Sequence, residues 1–149
     1  TDKIYGTAPS SVSPRNRKLS PGEHVSLNGA DTTALMRVPG IGRWYARSIV
    51  RYGERLGGYV SVDQLMEIED FPADALPYIK LGKATPRKLN VNSASLAELR
   101  KHPYINYYQA KAITDYRRLY GKITDINVLA TCSDITERDL KRIAPYIEY

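Results

Sequence analysis

The 149 residues include 22 Lys and Arg, 16 Asp and Glu, one Cys and 42% hydrophobic residues, a balance that excludes a chain disordered throughout. No run approaches the roughly 20 apolar residues of a membrane-spanning helix, no signal-peptide apolar segment is visible, and the lone Cys132 excludes an intrachain disulfide. The net charge of +6 is uneven: four basic and two acidic residues over 1–26, six and seven over 27–80, twelve and seven over 81–149. A basic chain attracts polyanions, which puts nucleic acid or an anionic membrane surface first among partner classes.

Residues 1–26 place Pro9, Pro14 and Pro21 among Ser10, Ser11, Ser13 and Ser20, with Arg15, Arg17 and Lys18 between them. Apolar residues are too few there to offset the entropy of ordering, so a flexible tail is predicted. From Leu27 the pattern becomes helical. Asp31 is the predicted N-cap of a helix carrying Leu35 and Val38, which Pro39 ends. A second helix, from about Arg43, sets Tyr45, Ile49, Tyr52 and Leu56 on one apolar stripe and stops at Gly57-Gly58. Ser61 and Gln64 open a short third helix as a capping box.

The same phrase then repeats. Leu35, Leu65, Leu99 and Leu129 hold one slot, Ile41, Phe71, Ile105 and Ile135 the hairpin apex, and Ile49, Ile79, Ile113 and Ile143 a third, with copies 30, 34 and 30 residues apart. An offset of 64 also pairs Asn28 with Asn92, Ala30 with Ala94, Ala46 with Ala110 and Gly57 with Gly121, so the chain has two similar halves of two units each. Ser95 with Glu98 forms a capping box in the second half, and Thr124 stands where Ser61 opens its helix. Pro77-Tyr78-Ile79 matches Pro145-Tyr146-Ile147 at 68 rather than 64, which predicts that the last helix of one half is a turn shorter than its counterpart. The predicted architecture is all-α, with helices of about 8–14 residues joined by short hairpins. A tail (1–26), a first domain (27–80), a linker (81–88) and a second, degenerate domain (89–149) follow from it.

Pro39-Gly40-Ile41-Gly42 carries the strongest functional signal. Two glycines leave bare amides beside a helix start, where unpaired N–H groups and the positive dipole end favour a phosphate oxygen. Arg43, Arg47, Arg51 and Arg55 follow at intervals of four. Each step turns about 40°, so the first two or three share a face and the fourth drifts away. This reads either as a solvated helix face or as a basic ridge along a phosphodiester backbone. The matched hairpins are Asp70-Phe71-Pro72, Tyr104-Ile105-Asn106 and Asp134-Ile135-Thr136. Acidic Asp70 and Asp134 mark structural copies, while Tyr104, Asn106 and Lys111 form a secondary candidate set.

The 12 tyrosines suit packing better than base stacking, and Trp44, matched by Tyr108, is assigned a shared packing role. Cys132 sits in an apolar slot as a core thiol, and His102 fills the slot matched by Val38 as a satisfied, partly buried histidine. Asp63, Glu67, Glu69, Asp70 and Asp74 have no neighbouring His or Cys, so no metal site is expected. No nucleophile, base and acid come together in the sequence, and no catalytic residue is expected.

Leu35-x-x-Val38-Pro39-Gly40-Ile41-Gly42-x-x-x-Ala46-x-x-Ile49 resembles the helix-hairpin-helix signature of the ComEA-type competence proteins. Each half resembles one of their double-hairpin domains (SAM-like), and Leu89-Asn90-Val91-Asn92-Ser93-Ala94 resembles their opening phrase. The tandem form resembles envelope-associated members from Bacteroidota-like bacteria. The resemblance implies non-enzymatic, sequence-independent binding of double-stranded DNA through hairpin amides, DNA uptake as the process, and a membrane anchor outside the present chain. It implies no cofactor beyond a monovalent cation held by hairpin carbonyls. On this chain Gly40, Ile41 and Gly42 keep the DNA-contacting motif intact, with Arg43, Arg47 and Arg51 beside it. A second reading is a scaffold that binds another protein through its tyrosine-rich second half.

Overall fold

The computed structural model describes residues 17–149. Two compact units divide the chain: one of residues up to Gly53 with Tyr59–Ala84, the other of Glu54–Gly58 with Thr85–Tyr149.

In the first unit β1 (Val25–Ser26) precedes α1 (Thr32–Leu35), which the Asp31 carboxylate caps by accepting from the Ala34 N–H at 2.8 Å. Helix α2 (Arg43–Leu56) follows the hairpin, its last three residues belonging to the second unit, then 3-10 turns over Val62–Glu67 and Ala73–Tyr78 lead into β2 (Ile79–Lys80). The second unit repeats this order with β3 (Leu89–Asn90), α3 (Leu96–Arg100), α4 (Tyr107–Tyr120), a 3-10 turn Ile126–Thr131, α5 (Glu137–Ile143), a 3-10 turn Ala144–Tyr146 and β4 (Ile147–Glu148). The extra helical turn before Pro145 is the one expected from the 68-residue offset.

All twelve residues in the three repeated slots are buried, and the four repeat leucines are completely so. At about 1.5–3 kcal/mol for each large apolar side chain removed from water, these slots account for the two cores. The repeated asparagines close each unit. Asn28 donates to the Tyr59 carbonyl at 2.9 Å and accepts from its N–H at 3.0 Å; Asn92 does the same to Ile123, at 2.8 Å both ways. A side-chain amide can donate and accept side by side as a peptide does, which explains the recurrence of Asn.

Four expectations need correction. The fold is mostly α rather than all-α: β1 pairs in parallel with β2 (Val25 opposite Ile79) and β3 with β4 (Leu89 opposite Ile147). Among the described residues the helices of 8–14 residues are only α2 and α4, at 14 each; several others are 3-10 turns of six residues, short pieces of the tighter helix. Asp125, not Thr124, caps the turn matching Ser61, accepting from the Asn127 N–H at 2.9 Å. The predicted tail is ordered from its end inward: Leu19 is buried, its N–H donates to the Arg37 carbonyl at 2.8 Å, and Val25–Ser26 is a strand. The rest of that tail, 1–16, lies outside the described residues.

Candidate nucleic-acid interface

The first hairpin is built from two glycines with different tasks. Gly40 has φ 89°, a left-handed turn that a side chain would strain, whereas Asp70 in the matched slot takes φ 58°. Gly42 has no such angle, and a Cβ placed on it would meet nothing within 4 Å. Its lack of a side chain therefore leaves open space rather than relieving strain. Ile41 between them is fully buried and pins the turn to the core.

Gly42 is also where α2 starts, since its carbonyl accepts from the Ala46 N–H at 3.0 Å. The other two hairpins that lead into an α-helix have a capping side chain in this slot. Asn106 accepts from the Gln109 N–H at 2.8 Å while Gln109 accepts from the Asn106 N–H at 3.0 Å. Thr136 and Asp139 exchange the same pair of bonds at 3.1 and 2.9 Å. Gly42 has no side chain with which to do this. Among the described residues nothing accepts from the N–H groups of Gly42, Arg43, Trp44 or Tyr45. Within the described residues these are orphan donors at the positive end of a 14-residue helix, a geometry suited to an anion.

The helix-hairpin-helix motif model of known families matches residues 20–80 and again 85–148. The chain belongs to the helix-hairpin-helix family. Over 154 aligned residues it is 28% identical to the endonuclease/exonuclease/phosphatase family domain-containing protein 1 of Mus musculus, and equally to that of Rattus norvegicus. The Homo sapiens protein of that name is 27% identical. Each alignment takes in 81% of this chain, and the chain spans 27% of the length of each of these relatives. No solved structure matches it. Family membership makes nucleic-acid binding the function class of this helix-hairpin-helix chain.

Arg43, Arg47, Arg51 and Arg55 are all exposed, and among the described residues none forms an ion pair. The second unit differs: Lys111 is held by Asp115 at 2.7 Å, and Arg118 by the same carboxylate at 3.2 Å. The residues of the secondary set have partners of their own. Asn106 is engaged in its own cap, Lys111 is paired, and Tyr104 is buried, its ring 3.9 Å beneath the Arg142 guanidinium. The third hairpin, although exposed at Asn106, caps its own helix.

Two residues beside the first hairpin escaped the sequence reading. Trp44, assigned to packing, is 64% exposed, with only an edge contact to Tyr45 at 5.0 Å between centroids; Tyr108 in the matched slot is equally exposed. Helical spacing could have shown this, since Trp44 lies one residue off the stripe begun by Tyr45. The second is Lys18, whose Nζ donates to the carbonyls of Met36 at 2.5 Å, Val38 at 3.2 Å and Ile41 at 3.2 Å. No local pattern marks it. The carbonyls of Met36, Val38 and Ile41, which face one point as ligands of a monovalent cation would, accept from this ammonium.

Of the remaining candidates, Glu67 in the acidic stretch accepts from the Tyr52 hydroxyl at 2.6 Å, and Cys132 is half-buried against the second core. His102 is buried, its Nε2 2.8 Å from the Leu56 carbonyl and its Nδ1 accepting from the Tyr104 N–H at 3.1 Å. That arrangement requires the neutral ring with its proton on Nε2. Burial, which disfavours the charged ring, pushes its pKa down to about 4; the Leu56 bond opposes this, while Arg55 and Arg142 add to it.

Proposed function

We propose that this chain is a non-enzymatic module that binds double-stranded DNA without regard to sequence, through the first hairpin. The observation that carries the reading is the uncapped start of α2. The phosphate oxygen would accept from the amides after Gly42, and Arg43, Arg47 and Arg51 would follow the next phosphates along the strand. Backbone amides and exposed guanidinium groups on a convex ridge read charge and spacing, not base edges. We place this binding in the handling of incoming DNA, the process the sequence resemblance implies. The relatives' name offers a second setting, in which the same interface holds DNA for an endonuclease/exonuclease/phosphatase family domain elsewhere in a longer protein.

A mobility shift with random-sequence duplex tests the reading, with fluorescence of Trp44, the chain's single tryptophan, reporting on the hairpin. Neutralising about three to five phosphates gives a log–log salt slope of about −3 to −4. A flat slope, or strong preference for one sequence, contradicts the reading. The double substitution Arg43→Glu with Arg47→Glu is expected to weaken binding at least about tenfold while melting stays within about 0.5 kcal/mol of wild type, as for exposed charges generally. Unchanged affinity in the folded double variant removes the ridge from the interface.

A specific observation favours a protein partner for the second unit. Leu119 and Tyr120 are 61% and 73% exposed and, with Tyr116, Ala112, Val128 and Cys132, line a shallow depression that Asp115 and Thr131 edge with polar groups. Exposed apolar and aromatic side chains beside a carboxylate suit a protein contact better than a phosphate contact.

A further inference from the structure

We propose that the Lys18 ammonium is a tethered cation for the first hairpin, doing permanently what a diffusible monovalent ion would otherwise do. It holds three carbonyls in place and so presents the Gly42 amide to a phosphate. The inference deepens the proposed DNA binding and rests on it for the last step only.

Three carbonyls from two sides of the turn converge on one nitrogen: Met36 at the end of α1, Val38 before the proline, and Ile41 at the apex. An ammonium has three protons, matching three acceptors. The Ile41 carbonyl matters most. In a trans peptide the C=O and the following N–H point in opposite directions, so holding the Ile41 oxygen toward Lys18 turns the Gly42 N–H away from it, outward. The bond to a charged donor also polarises that peptide and strengthens its N–H as a donor. The positive charge remains on the inner side of the hairpin while the orphan amides occupy the outer side.

Lys18 is held in place by its neighbours. The Arg17 carbonyl accepts from Arg37 Nε at 3.0 Å, and the Leu19 N–H donates to the Arg37 carbonyl at 2.8 Å with its side chain buried. Anchoring on both sides fixes the backbone from which Lys18 reaches the turn, so only its side-chain entropy remains to be lost. The second half has Gly82 at the matching place, 64 residues on. The tethered cation thus accompanies the one hairpin that leads into an uncapped α-helix.

The test needs no DNA for its first part. Thallium(I), an NMR-active stand-in for potassium, is expected to bind Lys18→Ala with a resolved bound resonance and not to bind wild type. Thallium held by the wild-type hairpin overturns the proposal, as does a folded Lys18→Ala that binds none. In the second part, wild-type affinity for duplex is expected to be the same in potassium and tetramethylammonium chloride at equal ionic strength. Lys18→Ala is expected to bind about tenfold more weakly in tetramethylammonium and to recover in potassium. Wild-type dependence on the identity of the cation refutes the tether even if the variant does not fold. If wild type binds no duplex at all, the DNA reading fails while the thallium comparison still decides the role of Lys18.

Discussion

Replacing Gly42 with Asn is expected to weaken duplex binding by about ten- to a hundredfold while leaving the fold as stable as before or slightly more so. Asn106 shows what the substitution builds: a side-chain oxygen 2.8 Å from the third amide of the helix, occupying the position an incoming phosphate oxygen would take. Loss of one or two charge-assisted bonds, at about 1.5–3 kcal/mol each, sets the size of the effect. Stability moves the other way or not at all, because Asn is among the best N-caps and Gly is only a few tenths of a kcal/mol worse. The slot is open and its φ is not left-handed, so neither a clash nor backbone strain opposes the change. Binding and melting are measured together. Equal affinity for wild type and Gly42→Asn would sink the uncapped-amide model, and so would an equal loss from Asn106→Gly, whose hairpin is self-satisfied.

The second large effect is acid destabilisation of the second unit through His102. Its folded pKa of about 4 lies below the ordinary histidine value of 6.5, so the unfolded chain binds the proton more readily. The stabilisation is therefore complete above pH 6.5, declines as pH falls through that value, and has been lost by about pH 4. The whole change is on the order of 3 kcal/mol. Proton NMR of the imidazole should show a midpoint near 4, and melting of the second unit should fall across the same window. His102→Val is expected to remove this pH dependence. It also leaves the Leu56 carbonyl and the Tyr104 N–H without their bonds to the ring, at about 1–3 kcal/mol for each buried group left unsatisfied, so it melts lower already at neutral pH. An undiminished pH slope in that variant would assign the acid sensitivity to other groups.

Much of this was legible in advance for a definite reason. A residue that recurs in the same slot of four units must meet the same environment four times, and Leu35, Leu65, Leu99 and Leu129 all proved fully buried. The division of the hairpins was legible in part: Gly40 and Gly42 set the first apart in the sequence, while the capping roles of Asn106 and Thr136 appear only in the structure. Trp44 was misread because its repeat partner Tyr108 was taken as a sign of packing, when both lie just off the apolar stripe and are exposed. The β pairs were missed because a two-residue strand has no periodicity to detect. Val25 finds Ile79 and Leu89 finds Ile147 only once each unit has folded.

The sequence by itself determined the repeat, its apolar slots, the two halves and the one hairpin that keeps both glycines, since each depends on residue type at short, fixed spacing. Only the tertiary structure decided what the charged residues do. Arg43, Arg47 and Lys111 look alike in the chain, yet the first two stay clear of ion pairs while Lys111 is held by Asp115 one turn away. Lys18, in a segment read as tail, reaches carbonyls 18 to 23 residues further on. The reason is reach. A long cationic side chain bonds to whatever the fold brings within about 3 Å of its end, and that neighbourhood is set by packing rather than by the residues beside it in the chain.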